Sequence, residues 1–299
     1  MNSVSLPAYA KVNLFLGILG KRSDGYHELW TLFERVGLAD EVTVRRLPGT
    51  QVQFRCESPE VPQDGSNLAV RAAQAYREAS GWSDGVEITL VKRIPAGAGM
   101  GGGSSNAAAV LLALQRLTGA AAATDSLVNC ARSLGSDVPF FLADCSFGLG
   151  RGRGDEIEPL LFHAKLWHLL VTPDFPIPTQ AVYQNFRLPR VEAAPGASAL
   201  RLTAPRRDPG ALLDALRNGK VSSARNLLYN ALEPTVEQLY PAIRRVKSEL
   251  ESAGLEKPTV SGSGSTVFAL CDSEAQARSA GEVLRKKHPA WRIFTAETI

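Results

Sequence analysis

A chain of 299 residues with 44% hydrophobic and 21% charged side chains has room for one large or two ordinary domains, and its composition excludes disorder. Its net charge of +3, with basic clusters as scattered as Arg45-Arg46 and Arg285-Lys286-Lys287, gives no nucleic-acid partner, and no apolar run is long enough to span a membrane. Cys56, Cys130, Cys145 and Cys271 form no C-x-x-C pair, the histidines are dispersed and the N-terminus carries no signal-peptide pattern, so a cytoplasmic protein with neither disulfide framework nor zinc site is expected.

From Val12 onward the chain alternates. Val12, Leu14, Leu16 and Ile18 share one face of a strand, and Lys11, Asn13 and Phe15 the other. A Lys and an Asn on a largely apolar strand need a polar partner or a ligand, unless this is an edge strand with one solvated face. A turn at 20–25 leads to Tyr26-His27, a pair able to stack on and hydrogen-bond a planar ring, or to serve as a half-buried structural element. Val42/Val44 and Val52/Phe54 mark two strands, and Ser66 is expected to cap a helix over 67–80 that Gly81 closes.

Residues 86–91 form the next strand, with Lys92-Arg93 at its end, beside a nucleotide or merely exposed. Then comes Pro95-Ala-Gly-Ala-Gly-Met-Gly-Gly-Gly-Ser-Ser105, opening an apolar run that continues to Leu117. Strand, glycine loop and helix bring an anion onto a helix N-terminus, where the unpaired N–H groups and the macrodipole favour phosphate. Glycines at 97, 99, 101, 102 and 103 remove the side chains that would obstruct that approach. Ser104 and Ser105 are candidates to cap the helix and to offer a hydroxyl to phosphate or Mg2+. The P-loop pattern fails for want of a Lys after Gly103. The dinucleotide pattern is met literally by Gly97, Gly99 and Gly102, but Asp125, at the distance where its acidic residue is sought, follows no strand.

A helix is expected over 124–133. Asp137 follows a Gly-containing turn and precedes an apolar run, so it is either a helix N-cap or a catalytic carboxylate. The Gly- and charge-rich stretch 148–159 is a turn between halves or a hairpin, 166–172 a buried strand, and the proline-rich 173–209 a lid or crossover. Helices follow by period over 211–216, 222–232 and 236–253. After them come a strand, Gly/Ser turn and strand over 259–270, a helix over 274–288 and a last strand over 291–295.

Pro95 to Ser105 matches without a gap the hallmark of the superfamily of galactose, homoserine, mevalonate and phosphomevalonate kinases, with Met100 where Leu is common and Asn106 where Asp is common. Five further stretches make the chain most similar to the branch that phosphorylates a cytidine diphosphate-linked methylerythritol. They are residues 10–16, 22–29, 135–141, Ile177-Pro-Thr179 and Val260-Ser-Gly-Ser-Gly264. This resemblance implies a two-domain α/β (α+β) small-molecule kinase. Its N-terminal half, 1–153, is ribosomal-protein-S5-domain-2-like and its C-terminal half, 154–299, ferredoxin-like, with the site in the cleft between them.

It also implies the residue roles. Lys11 and Asp137 are the catalytic pair. Lys92, Pro95, Ala96, Gly97, Ala98, Gly99, Met100, Gly101, Gly102, Gly103, Ser104 and Ser105 surround ATP, with Ser105 toward Mg2+. Asn13 and Asp137 hold the erythritol hydroxyls, and Tyr26, His27 and Tyr183, the last at a place where the family carries Phe, surround the cytosine. The Ile177-Pro-Thr179 turn, with Thr179, and the stretch 262–265, with Gly262, close on the substrate. The expected partner is that small molecule, with no nucleic acid or membrane, for a monomer or homodimer. A sister kinase acting on homoserine or mevalonate, a non-catalytic relative and a dinucleotide oxidoreductase are the alternatives.

Overall fold

The alternating N-terminal residues make one long strand, β1 (Ser3–Lys21), paired antiparallel along its length with β2 (His27–Leu47). The computed structural model describes residues 2–119, 124–188 and 208–299, so the lid or crossover expected over 173–209 falls largely outside the described residues. After β2 come β3 (Val52–Cys56), α1 (Leu68–Ser80), β4 (Gly85–Val91), α2 (Gly102–Thr118), α3 (Thr124–Leu134) and α4 (Val138–Leu142). Next are β5 (Phe147–Arg151), β6 (Glu156–Leu160), β7 (Trp167–Thr172), α5 (Thr179–Asn185), α6 (Gly210–Arg217) and α7 (Val221–Leu227). The chain ends with β8 (Tyr229–Asn230), α8 (Glu233–Leu239), α9 (Ala242–Ser252), β9 (Thr259–Val260), β10 (Val267–Cys271), α10 (Glu274–Lys287) and β11 (Arg292–Glu297).

The first sheet runs β3-β4-β2-β1-β8, with β5 joined to β2 and β6 to β5. β8 reaches β1 only at Phe15 and Leu16; at Lys11 the open edge of β1 meets the glycine loop, whose Met100 carbonyl accepts the Lys11 N–H, and Lys11 and Asn13 are buried, so this is not an edge with a solvated face. The register shifts between Asn13 and Phe15, a bulge that re-aims the neighbouring side chains. β5 and β6 form a hairpin, so the boundary expected at 153/154 falls in its turn and both strands belong to the first sheet. The second sheet, β11-β7-β10-β9, is antiparallel throughout.

One apolar core lies between the first sheet and α1–α4, with Phe33, Tyr76 and Phe140 in it. A second surrounds β7 and β10 with Ile243 and Val246 of α9 and Leu284 of α10. A third, holding Val12, Leu14, Leu170 and Phe268, bridges the two sheets. The sheets are also tied by a buried contact, His168 Nε2 to Glu34 Oε1 at 2.8 Å, where Thr298 Oγ1 donates to the same carboxylate oxygen at 2.6 Å.

Some local expectations shift. Asn67, not Ser66, caps α1: its Oδ1 accepts the Ala69 N–H at 2.8 Å, while Ser66 turns back to Asp64. Asp125, by contrast, sits in the first turn of α3 as the helix expected over 124–133 requires, with no strand ending there. The helix expected over 236–253 is two, because Pro241 brings no N–H to continue α8 and instead opens α9. The 222–232 helix stops at Leu227, and Tyr229–Asn230 leave it to pair with Phe15 and Leu16 of β1.

The glycine loop between β4 and α2 stands on a buried carboxylate. Asp40 of β2 is fully buried. It accepts Lys92 Nζ at 2.7 Å, Asn106 Nδ2 at 2.8 Å and the N–H groups of Arg93 and Ile94 at 2.7 and 2.8 Å. Burial pushes the Lys92 ammonium below its usual value, against the pull of Asp40. Strand exit and helix start are thereby fixed to one point of β2. Asp40→Ala would leave the Lys92 charge buried without its partner, and urea titration should show a loss of about 3–5 kcal/mol, of which Lys92→Met in the same chain restores at least half. Wild-type stability in Asp40→Ala would contradict this role.

Candidate active site

Lys11 is 3% exposed, yet its ammonium group is well provided with partners. It donates to Asn13 Oδ1 at 2.7 Å and to the Gly99 carbonyl at 2.8 Å, and lies 3.5 Å from Asp137 Oδ2. Strand spacing puts Lys11 and Asn13 on one face, and the Lys11 N–H bonds the Met100 carbonyl at 3.0 Å, so β1 and the glycine loop are joined twice. The Asn13 amide is oriented by Thr31, to whose Oγ1 it donates at 2.8 Å, and Thr31 in turn donates to the Phe15 carbonyl. Burial pushes the Lys11 pKa down; the negative charge of Asp137 opposes that shift.

Asp137 precedes α4 in the N-cap position, but its side chain makes no cap bond. Its carboxylate, 30% exposed, is free to face the cavity beside Lys11. Gly101 opens α2 at φ 69°, and a Cβ there would lie 2.9 Å from Phe141 Cζ and 3.1 Å from Lys11 Cγ. At Gly99, φ 78°, a Cβ would come within 2.2 Å of the Ser261 carbonyl oxygen. Glycine is required at both places for a left-handed backbone and a close approach. The turn between β9 and β10 closes on the loop there: Ser261 Oγ donates to the Gly99 carbonyl at 3.0 Å and the Thr266 N–H to that of Ala98 at 3.1 Å.

These elements enclose a cavity of about 410 Å³. Lys11, Asn13, Asp137, Gly97, Ala98, Gly99, Gly101, Gly102, Gly103, Ser104, Thr179, Tyr183 and Gly262 all line it, which brings together most of the expected residues. Pro95 and Met100 are buried in the foot of the loop and Ala96 is exposed at its shoulder. Lys92, expected beside ATP, is not among the lining residues, because its ammonium is held on Asp40 beneath the loop.

Ser105, expected toward Mg2+, does not line the cavity of about 410 Å³. It is 3% exposed and lines a separate cavity of about 360 Å³ behind α2, since successive residues of a helix point about 100° apart. Ser104 is the hydroxyl on the cavity side, and neither serine caps α2, whose N-cap is Gly101.

A second cavity of about 1000 Å³ adjoins the first through Leu29, Ser136, Arg153, Thr179 and Tyr183. The His27 ring lies 5.5 Å from that of Tyr183 and 5.8 Å, edge-on, from that of Phe186. Tyr26 is 56% exposed at the mouth, with the Arg153 guanidinium 5.1 Å from its ring centroid. Burial, with Lys21 nearby, lowers the His27 pKa, so the ring is neutral at neutral pH; burial and the charge of Asp137 push the Tyr183 hydroxyl up, so it keeps its proton. Lys21, Arg153 and Arg187 give this cavity its cations.

Sequence reasoning did not assign Arg153, Thr31 or Phe186 to the site, while Ser263 lies within the 262–265 turn expected to close on the substrate and lines the first cavity. Arg153 stood in the Gly- and charge-rich stretch 148–159 and offered a signal; Thr31 has none apart from the contacts it makes.

The chain matches two family models, the GHMP kinases N terminal domain over 67–144 and the GHMP kinases C terminal over 212–290. It is 38% identical to the 4-diphosphocytidyl-2-C-methyl-D-erythritol kinase of Prosthecochloris aestuarii, over 97% of this chain and 96% of that one. It is also 38% identical to the kinase of that name from Citrifermentans bemidjiense, over the full length of both. Among solved structures, a 4-(cytidine 5'-diphospho)-2C-methyl-D-erythritol kinase superposes with TM-score 0.79 at 36% identity, covering 98% of each chain. The homoserine kinase of Cytophaga hutchinsonii, at TM-score 0.75 and 21% identity over 100% of this chain and 96% of that one, shares the fold. Among the described residues no helix is long and apolar enough to cross a membrane. With both family models matched and full-length relatives at this identity, the chain belongs to the 4-diphosphocytidyl-2-C-methyl-D-erythritol kinase family of the GHMP kinases.

Proposed function

We propose that the protein transfers the terminal phosphoryl group of ATP to the 2-hydroxyl of 4-diphosphocytidyl-2-C-methyl-D-erythritol, a step in non-mevalonate isoprenoid precursor synthesis. The observation that carries this reading is the junction of the two cavities at Arg153, Thr179 and Tyr183. One side offers a phosphate loop and a Lys–Asp pair. The other offers cations for a diphosphate, then aromatic rings for a base. A polyol linked through a diphosphate to cytosine has that same order of parts.

Phosphoryl transfer asks a protein for alignment and neutralisation of charge on the phosphoryl oxygens. The first-turn N–H groups of α2 and the loop backbone receive the phosphates. Asp137 accepts the acceptor hydroxyl's hydrogen bond and takes its proton as the oxygen–phosphorus bond forms, while Lys11 holds the carboxylate and faces the transferring group. Asn13, fixed by Lys11 and Thr31, orients the neighbouring hydroxyl. His27, neutral, reads a neutral base by directional hydrogen bonds and stacking.

Mg2+ fits the donor set. Ser104 and Asp137 are oxygen donors facing the cavity, and the described residues hold no His/Cys/Asp/Glu cluster of three that would bind a metal by itself. An ion that takes most of its ligands from phosphates and water suits such a site. Ser104 and Asp137 would hold it, and with ATP it would neutralise charge on the phosphate oxygens.

Asp137→Asn keeps the group's shape but removes its ability to take a proton, and Lys11→Met removes the ammonium. Each should lower kcat by about 1,000-fold or more, with ATP binding still measurable by calorimetry. Because burial disfavours the charged form of Lys11 in the fold, Lys11→Met should melt at the wild-type temperature or above. Near-normal turnover in either variant would remove that residue from the mechanism. His27→Ala should raise the acceptor KM about tenfold with little change in the ATP KM, and an unchanged acceptor KM would contradict the base-reading role.

A further inference from the structure

Asn230 stands outside the cavity and connects the strand that carries Lys11 to the turn that closes over it. It is 5% exposed and ends β8, where it pairs with Leu16 of β1. Its Nδ2 donates to the Val260 carbonyl at 2.8 Å and the Gly262 carbonyl at 2.7 Å, and its Oδ1 accepts the Leu232 N–H at 2.9 Å. The same segment grips Val260 again, through its N–H to Glu233 Oε2 at 2.9 Å, and Lys247 neutralises that carboxylate. The Ala231 N–H anchors the segment to the Leu16 carbonyl of β1 at 2.8 Å.

The far end of this linkage is the acceptor side of the site. A Cβ on Gly262 would lie 3.2 Å from Asn13 Oδ1 and 3.5 Å from Lys11 Nζ, and Ser263 Oγ is 2.8 Å from Thr179 Oγ1. Two carbonyl oxygens and one N–H must be met within a single buried place. A carboxamide supplies two donors and an acceptor; an ionised carboxylate supplies no donor and an alanine nothing.

We infer that Asn230 is a positioning residue for the acceptor: its carboxamide sets the Gly262–Ser263 turn over Asn13 and Lys11, and with it the place of the hydroxyl that is phosphorylated. The inference rests on the kinase reading above and concerns how the acceptor subsite is held. The glycine loop has its own anchor in Asp40, so loss of Asn230 falls on the acceptor before it falls on ATP.

The test is steady-state kinetics of wild type, Asn230→Ala and Asn230→Asp with ATP and 4-diphosphocytidyl-2-C-methyl-D-erythritol between about pH 6 and 9, with ATP affinity measured on the same preparations. Both variants should raise the acceptor KM about tenfold and lower kcat about 10- to 100-fold, with the ATP KM within about threefold. ADP formed per acceptor phosphorylated should exceed the wild-type ratio, as water takes the place of a misplaced hydroxyl. A protonated Asp at 230 can donate one hydrogen bond, whereas its carboxylate would face two carbonyl oxygens beside Glu233. Asn230→Asp, ionised across this pH range, should therefore be impaired at least as much as Asn230→Ala.

Acceptor and ATP affinity worsening in step, a wild-type acceptor KM in both variants, or a wild-type ratio of ADP formed to acceptor phosphorylated would overturn the inference. Absence of wild-type turnover in the same assay would overturn the kinase reading together with it; failure in the variants with an active wild type overturns this inference alone.

Discussion

A buried ammonium is the point on which the site depends. Lys11 leaves water on folding, and that loss is tolerable only because a carbonyl, an amide oxygen and a carboxylate meet it. Those partners come from β1 itself, from the glycine loop and from the residue before α4. Satisfying one cation therefore brings together a strand, a glycine loop and a carboxylate that lie far apart in the chain. Asp40 does the corresponding work below the loop with the opposite charge, collecting four donors that fix where β4 ends and α2 begins. A cation above and an anion below leave the loop little freedom to move away from its phosphate-binding form.

The fold alone does not choose an acceptor. A homoserine kinase superposes over the whole chain while sharing 21% of its residues. Beside the phosphate loop this chain has an adjoining cavity, where His27, Tyr183 and Phe186 present their rings and Arg153 stands at the junction. In the proposed reading, selectivity comes from aromatic area and directed hydrogen bonds in this cavity rather than from the phosphoryl-transfer groups.

The parts of the site that depend on neighbouring residues were readable in the sequence. The glycine loop was clear because its left-handed turns and its helix start are local, and Lys11 and Asn13 were visible because strand alternation puts them side by side. Asp137 stayed ambiguous because an N-cap and a free carboxylate look alike until the side chain is seen to make no cap bond. Asp40 could not be found, since its partners lie 52 to 66 residues on and nothing near it signals burial. Ser104 and Ser105 could not be told apart until the phase of α2 was fixed by its start at Gly102. The two helices within 236–253 were hidden by an apolar period that runs through Pro241, where the missing N–H outweighs the pattern. Boundaries and long-range partners were lost together, because both are decided by packing between segments distant in sequence.

The most direct test of the account is ADP release by the purified protein with Mg-ATP and one of four acceptors: 4-diphosphocytidyl-2-C-methyl-D-erythritol, mevalonate, homoserine or galactose. The arrangement of the two cavities predicts turnover with the first alone. Turnover with one of the others and none with the cytidine-linked acceptor would contradict it, leaving the phosphate loop and the Lys11–Asp137 pair in place but removing the base-binding role given to the second cavity.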